Sequence, residues 1–386
     1  MNLADHPIFV VLAVAAIAPL LSQIRGIGQM PVVVLEALLG IVVGPHVLGL
    51  VRLDGFLSAM LSAGTATVLF MAGMEVDFRR IRGRPLSLAL GGWLLSLLVS
   101  FLILVLIYVL PDVQAPMMVA IALATTGLGT LLPILRDDGQ MDTTFGRMLL
   151  AVGTIGEVGP IVAASLALSR RFSSWEEFGF LIVFLVLVAS VAAIGLGARP
   201  PRVLELLKRT MHSSTQLPVR FALFIMASFV MIAETLGFEA VLGAFAAGMI
   251  VGLATRTEEA ETFRVKIDAI CFGWFAPFFF VGTGIAFDLG ALLRSNTAML
   301  LVPTFLILFL VARGAPVLLY RKVLDSRQQL CLVLASSVAS LSLVIIIAHI
   351  GLRTGVMSGD IAQGLIGAAL LSLLVFPTGA RGLLRS

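Results

Sequence analysis

Gly146-Arg-Met-Leu-Leu-Ala-Val-Gly-Thr-Ile-Gly-Glu157-Val-Gly-Pro-Ile-Val-Ala-Ala-Ser-Leu-Ala-Leu168 is an apolar run of membrane-crossing length with one carboxylate near its middle. An acidic side chain at that depth costs roughly 2.5–3.5 kcal/mol or more. Such a residue survives where it faces a wet cavity or a partner, so Glu157 points to transport. The plainer alternative is a buried acid satisfied by a neighbouring helix. Gly153, Gly156, Gly159 and Pro160 surround it. They predict a thinned or broken helix, where an ion or water can approach.

The rest of the chain agrees with a membrane setting. Its 386 residues are 59% hydrophobic and only 12% charged, against about 25% charged in a soluble chain. The fold class is therefore an all-α polytopic membrane protein. The net charge of +4 implies no nucleic acid, because basic residues in such proteins gather on cytoplasmic loops. Cys271 and Cys331 each open an apolar segment and read as buried small hydrophobes, not as a disulfide. Met1-Asn-Leu-Ala-Asp-His-Pro7 carries no cationic region ahead of its apolar run, which predicts a first span and no cleaved signal. The loops are short. A single transmembrane domain over 1–386 is expected, with no soluble regulatory domain and no cofactor. Enzymatic chemistry has no support: there is no metal-ligand cluster, no nucleophile with a His partner and no phosphate loop.

About thirteen apolar segments are long enough to cross a bilayer. They lie near 7–24, 30–45, 57–74, 86–110, 115–135, 146–168, 177–198, 217–236, 238–254, 268–287, 297–320, 328–350 and 361–380. An odd number puts the termini on opposite sides. Of 26 Lys and Arg, only Arg52, Arg170, Arg171, Arg294 and Arg353 fall in one set of loops. The positive-inside rule then places the N-terminus outside and the C-terminus in the cytoplasm of a cell whose inner or plasma membrane holds the chain.

Three further stretches carry polar or helix-breaking residues. In span two, Leu35-Glu36-Ala-Leu-Leu-Gly40-Ile-Val-Val-Gly44-Pro45-His46 sets Gly40 and Gly44 as a close-packing pair, with Pro45 stopping the helix at the outer face. Glu36, near the cytoplasmic end, reads as solvated. In span five, Ala124-Thr125-Thr126-Gly127-Leu-Gly129-Thr130-Leu-Leu-Pro133 interrupts an apolar run with two glycines and a proline. A helix broken at mid-membrane exposes carbonyls and helix ends to a cation, and threonine hydroxyls add hard oxygen ligands. The competing reading is a kinked helix whose threonines bond back to their own carbonyls. In span eleven, Arg313 either snorkels to the cytoplasmic face or pairs with an acid in the core.

Taken in order, these pieces resemble the monovalent cation:proton antiporter family, in the branch of Kef-type potassium efflux transporters and bacterial sodium/proton exchangers. The resemblance also rests on Phe70-Met-Ala-Gly73-Met-Glu75-Val-Asp77, on Gly146-Arg147 and on Phe279-Phe280-Val281-Gly-Thr-Gly284. It implies an inverted-repeat fold of thirteen helices with two broken, crossing helices, here spans five and twelve. Members are usually homodimers. The resemblance implies that Glu157 takes ion or proton in turn, and that Arg313 lies close by. Thr125, Thr126, Gly127 and Gly156 complete the candidate ion and proton site. Gly129, Pro133, Ser337 and Ser340 mark the breaks. Two departures stand out: Glu157 where an Asp is usual, and Gly156 where an Asn, Gln or second Asp is usual. Span twelve has Ala335-Ser336-Ser337-Val-Ala-Ser340 and lacks the Gly-Glu often seen there.

The expected function is exchange of protons for Na⁺ or K⁺ by alternating access. One carboxylate, Glu157, would hold either a proton or a cation. A single titratable acid at the midplane and no Lys in the spans predict electroneutral, one-for-one exchange. Two rivals fit less well: a proton-coupled exporter of a small organic solute, for which Gly156 leaves room, and a non-transporting sensor on the same fold. The expected orientation is checked by reporter fusions. A phosphatase fused after Arg52 should be active, and one fused after Lys322 or after Arg385 should be silent.

Overall fold

The computed structural model describes residues 6–24, 31–76, 81–107, 114–127, 143–168, 215–255 and 261–385, together with residues 135, 139–141 and 179. Every regular element among them is helical. The helices are α1 (Pro7–Leu21), α2 (Val32–Val43), α3 (Gly55–Glu75), α4 (Arg84–Ile107), α5 (Gln114–Leu123), α6 (Thr144–Leu168), α7 (Leu217–Thr235) and α8 (Ala240–Ala254). They continue as α9 (Glu261–Ile270), a π turn (Cys271–Phe275), α10 (Ala276–Ala286), α11 (Leu289–Arg294), α12 (Asn296–Gly314) and a 3₁₀ turn (Ala315–Tyr320). The last are α13 (Ser326–Ser336), α14 (Leu341–Arg353) and α15 (Gly359–Arg385).

Among the described residues, 7 helices are long and apolar enough to cross a membrane, or 8 if α13 and α14 form one broken span. α1, α2 and α8 are shorter apolar helices. The expected span at 177–198 lies outside the described residues but for residue 179, and that at 115–135 is described only to Gly127 and at Leu135, so Gly129 and Pro133 lie outside. The helix that carries the tenth expected span starts earlier than that span, since the polar α9 runs straight into the π turn. Leu94, Leu98, Leu102 and Val105 stand exposed at helical spacing on α4. That is the face a helix shows to hydrocarbon.

The chain divides into two compact units with interleaved segments. One comprises 55–77 and 168–279, the other 1–54, 78–167 and 280–386. In the first, α3 and α8 meet through glycines. A Cβ on Gly73 would strike the Phe245 carbonyl, and one on Gly248 the Phe70 carbonyl. Gly252 continues the row, 2.6 Å from the Met74 carbonyl oxygen by the same measure. Gly248 and Gly252 form a small-xxx-small pair, the device that lets backbones touch where lipid offers no hydrophobic drive. Gly243 lies against Phe229, and the α7–α8 turn uses Gly237 at φ 85°, where a Cβ would be strained.

In the second unit the Gly40–Gly44 pair of α2 lies on α10: a Cβ on Gly40 would meet the Val281 carbonyl, and one on Gly284 the Ala37 carbonyl. α2 ends at Val43, as Pro45 predicts. Just beyond, His46 Nδ1 lies 3.2 Å from Asp288 Oδ1, and Asp288 in turn caps α11 by accepting from the Ala291 N–H. Glu36 departs from expectation. It is buried, at 5% exposure, and not solvated. It sits one turn before Gly40, the residue at which α2 meets α10.

A second correction concerns α6. The glycines around Glu157 do not break this helix, which is continuous from Thr144 to Leu168 through Pro160. Their effect is lateral, and the candidate site below depends on it. The glycine contacts are tested by substitution. Gly284→Val should cost about 1–3 kcal/mol through overpacking, read as a lower melting temperature of the purified protein. Gly91→Ala, at a position with open space around it, should not.

Candidate functional site

The second unit holds a polar cluster built around two helix interruptions. α5 stops at Leu123, and Ala124–Gly127 continue as non-helical backbone. α13 stops at Ser336, and α14 starts at Leu341 after a bend of 43°. Each interruption leaves backbone N–H and C=O groups without helical partners, which an apolar interior does not tolerate. The two interruptions satisfy each other. Gly127 N–H donates to the Val338 carbonyl at 2.8 Å. The Thr126 hydroxyl donates to the Ser336 carbonyl at 2.8 Å. Ser340 N–H donates to the Thr125 hydroxyl at 3.4 Å. Gly127 is required by closeness: a Cβ there would lie 2.9 Å from the Ala339 carbonyl oxygen.

α6 joins this crossing through Pro160. Proline has no N–H, so the carbonyl four residues back, Gly156, loses its helical donor. That carbonyl accepts instead from Thr126 N–H at 3.0 Å. Gly156 lets the chains meet: a Cβ there would stand 2.6 Å from Thr126 Cβ. Glu157 follows directly. It is 6% exposed, one residue from the bond that links α6 to the crossing. Thr125 and Thr126 are fully buried.

Arg313 neither reaches the surface nor ends on a carboxylate in its observed bonds. It is 5% exposed. Its Nε donates to the Ser336 carbonyl at 3.3 Å, and Nη1 to the Ser96 hydroxyl at 3.3 Å. The freed carbonyl at the end of α13 thus takes both Arg313 and Thr126. A permanent cation at a helix C-terminus is favourable, since that end carries partial negative charge.

The predicted residues divide accordingly. Thr125, Thr126, Gly127, Gly156, Glu157 and Arg313 come together in one unit with Ser337 and Ser340. Ser337 serves its own helix, its hydroxyl donating to the Val333 carbonyl at 2.7 Å. Thr125 does the same toward Ala122 at 2.8 Å. Both fit the kinked-helix reading. Sequence reasoning passes over Ser96 and Ser372; the latter hydroxyl accepts from Ala339 N–H at 3.0 Å inside the second break. Each is a serine in a long apolar helix, which is the available signal.

A family model for the transmembrane sodium/hydrogen exchanger matches residues 11–386. The chain belongs to the sodium/hydrogen exchanger family. It is 28% identical to the Bacillus subtilis protein YjbQ over 95% of this chain, and spans 61% of that relative's length. It is 27% identical to the Na(+)/H(+)-K(+) antiporter GerN of Bacillus cereus, over 91% of this chain and 89% of GerN. Its fold matches the sodium proton antiporter MjNhaP1 of Methanocaldococcus jannaschii, with TM-score 0.67 and 17% identity over 100% of this chain and 99% of that one. The exchanger family is one of multi-pass membrane transporters, not of enzymes.

The Gly156–Thr126 contact makes a direct prediction. Gly156→Ala should destabilise by about 1–3 kcal/mol, and so should Thr126→Gly, which loses a buried hydrogen bond. Because the clash that Gly156→Ala introduces is with the Thr126 side chain, and Thr126→Gly takes that side chain away, the double variant should lose less than the two singles together. Thermal unfolding in detergent checks this; strict additivity would contradict the contact.

Proposed function

We propose that the protein exchanges protons for a monovalent cation, Na⁺ or K⁺, across the cell membrane by alternating access, with Glu157 as the shared binding carboxylate. The observation that supports this is the burial of Glu157 one residue from Gly156, whose carbonyl takes the Thr126 N–H at the crossing of two interrupted helices. The kinship to proteins named as Na(+)/H(+) antiporters agrees with it.

In this reading a bare carboxylate in an apolar interior is unstable, so Glu157 holds a proton or a cation and not both. Thr126, Thr125 and the backbone at Gly127 and Gly156 position it and complete the oxygen environment. Arg313 cannot release its proton in practice and tunes the field without carrying one. The exchange is electroneutral, one proton for one cation. The functional form is a homodimer with the N-terminus outside and the C-terminus in the cytoplasm.

Everted vesicles with a pH-sensitive dye test the exchange. Na⁺ or K⁺ should collapse the proton gradient with the wild type and fail to do so with Glu157→Gln. A gradient unchanged by Na⁺, K⁺ or Li⁺ would favour an organic solute or no transport. Stoichiometry is tested separately in proteoliposomes: the initial flux should be insensitive to an imposed voltage, and a steep voltage dependence would rule out one-for-one exchange.

A further inference from the structure

Three main-chain groups of the break between α13 and α14 face the interrupted end of α5. The Val338 carbonyl accepts from Gly127 N–H at 2.8 Å. Ser340 N–H donates to the Thr125 hydroxyl at 3.4 Å. The Ala339 carbonyl oxygen stands 2.9 Å from where a Cβ on Gly127 would lie. A fourth group, Ala339 N–H, leads elsewhere. It donates at 3.0 Å to the hydroxyl of Ser372 on α15. Ser372 is fully buried, and its own proton goes to the Ala369 carbonyl at 2.7 Å. That bond turns the proton into α15 and leaves the oxygen lone pair to receive Ala339.

Val338 C=O and Ala339 N–H belong to one peptide unit. The unit is planar, so its two polar groups point in opposite directions. Gly127 holds one end of it and Ser372 the other. Without Ser372 the N–H is a buried donor with no acceptor, and that penalty favours other orientations of the plane. Any large turn takes the Val338 carbonyl off Gly127 and brings the positive end of the peptide dipole toward the crossing. Gly127 follows Thr126, whose N–H holds the Gly156 carbonyl next to Glu157 in the chain. We infer that Ser372 is a positioning residue for monovalent cation binding: by anchoring the 338–339 peptide from behind, it keeps a carbonyl directed at the crossing and so raises the affinity for the cation. The inference rests on the exchange reading above and adds to it a residue that touches neither the cation nor the carboxylate.

The test is exchange by the full chain in everted vesicles, with Na⁺ and K⁺ titrated and rates normalised to folded protein. Ser372→Ala removes the acceptor, Ser372→Cys puts a weak acceptor of similar size in its place, and Ser372→Thr keeps the hydroxyl. The KM for the cation should be highest in Ser372→Ala, intermediate in Ser372→Cys and near the wild type in Ser372→Thr. Ser372→Ala should stand roughly three- to tenfold above the wild type, the scale of one buried hydrogen bond. The maximal rate per folded chain should hold. If Ser372→Ala does not fold, Ser372→Cys carries the comparison. An unchanged KM, or a fall in rate alone that tracks the loss of folded protein, would overturn the inference and make Ser372 a packing residue. A wild type that responds to no cation would overturn the exchange reading, and this inference with it.

Discussion

Everything in the second unit follows from one constraint: a backbone freed from its helix inside an apolar slab must find partners in protein. Two helices are interrupted here, and each supplies what the other lacks. The α13 end gives carbonyls at Ser336 and Val338, and the Thr125–Gly127 segment gives N–H and hydroxyl donors. Neither interruption could persist alone. The mutual solution concentrates helix ends, hydroxyls and one arginine in a volume that also holds Glu157. Polarity at this depth is therefore a by-product of unsatisfied backbone as much as of side-chain chemistry.

The same economy explains the glycines. In lipid, helices gain little by hiding apolar surface from each other, so close van der Waals approach carries association. Gly40, Gly284, Gly73 and Gly248 each admit a backbone carbonyl from a facing helix. Gly156 and Gly159 extend the device to the site, the latter placing α6 against the Trp93 ring. The first four join helices within their units; Gly156 positions a functional neighbour.

How much of this is visible in the residues varies with the kind of signal. Membrane setting and the all-helical class are legible, because hydropathy reports a local property, while the break after Ser336 is expected only through the family resemblance. The depth of Glu36 is not legible, since burial is set by tertiary neighbours that its own segment does not show. The effect of Pro160 misleads: proline and glycine signal a weakened helix, and only a neighbouring N–H, here Thr126, shows where the freed carbonyl goes. Arg313 has two open readings in the sequence, and its observed partners are a main-chain oxygen and a serine hydroxyl on distant helices, which no local pattern marks. Ser96 and Ser372 give little warning for the same reason. Their roles lie in tertiary neighbours, while Gly129 and Pro133 fall outside the described residues.

Pro160 has a consequence for how this sequence can drift. By removing one rung from α6, it binds that helix to a threonine in an earlier segment of the chain. A change at 160 that restores the N–H would turn the Gly156 carbonyl inward again and leave the Thr126 main-chain N–H without its acceptor, while at 126, where the donor is main chain, the constraint is the size of the side chain against Gly156. The two positions, together with 156, are thus one heritable unit. Exploration of new chemistry at this crossing must pass through paired replacements, and single steps there meet a barrier that neighbouring surface positions do not.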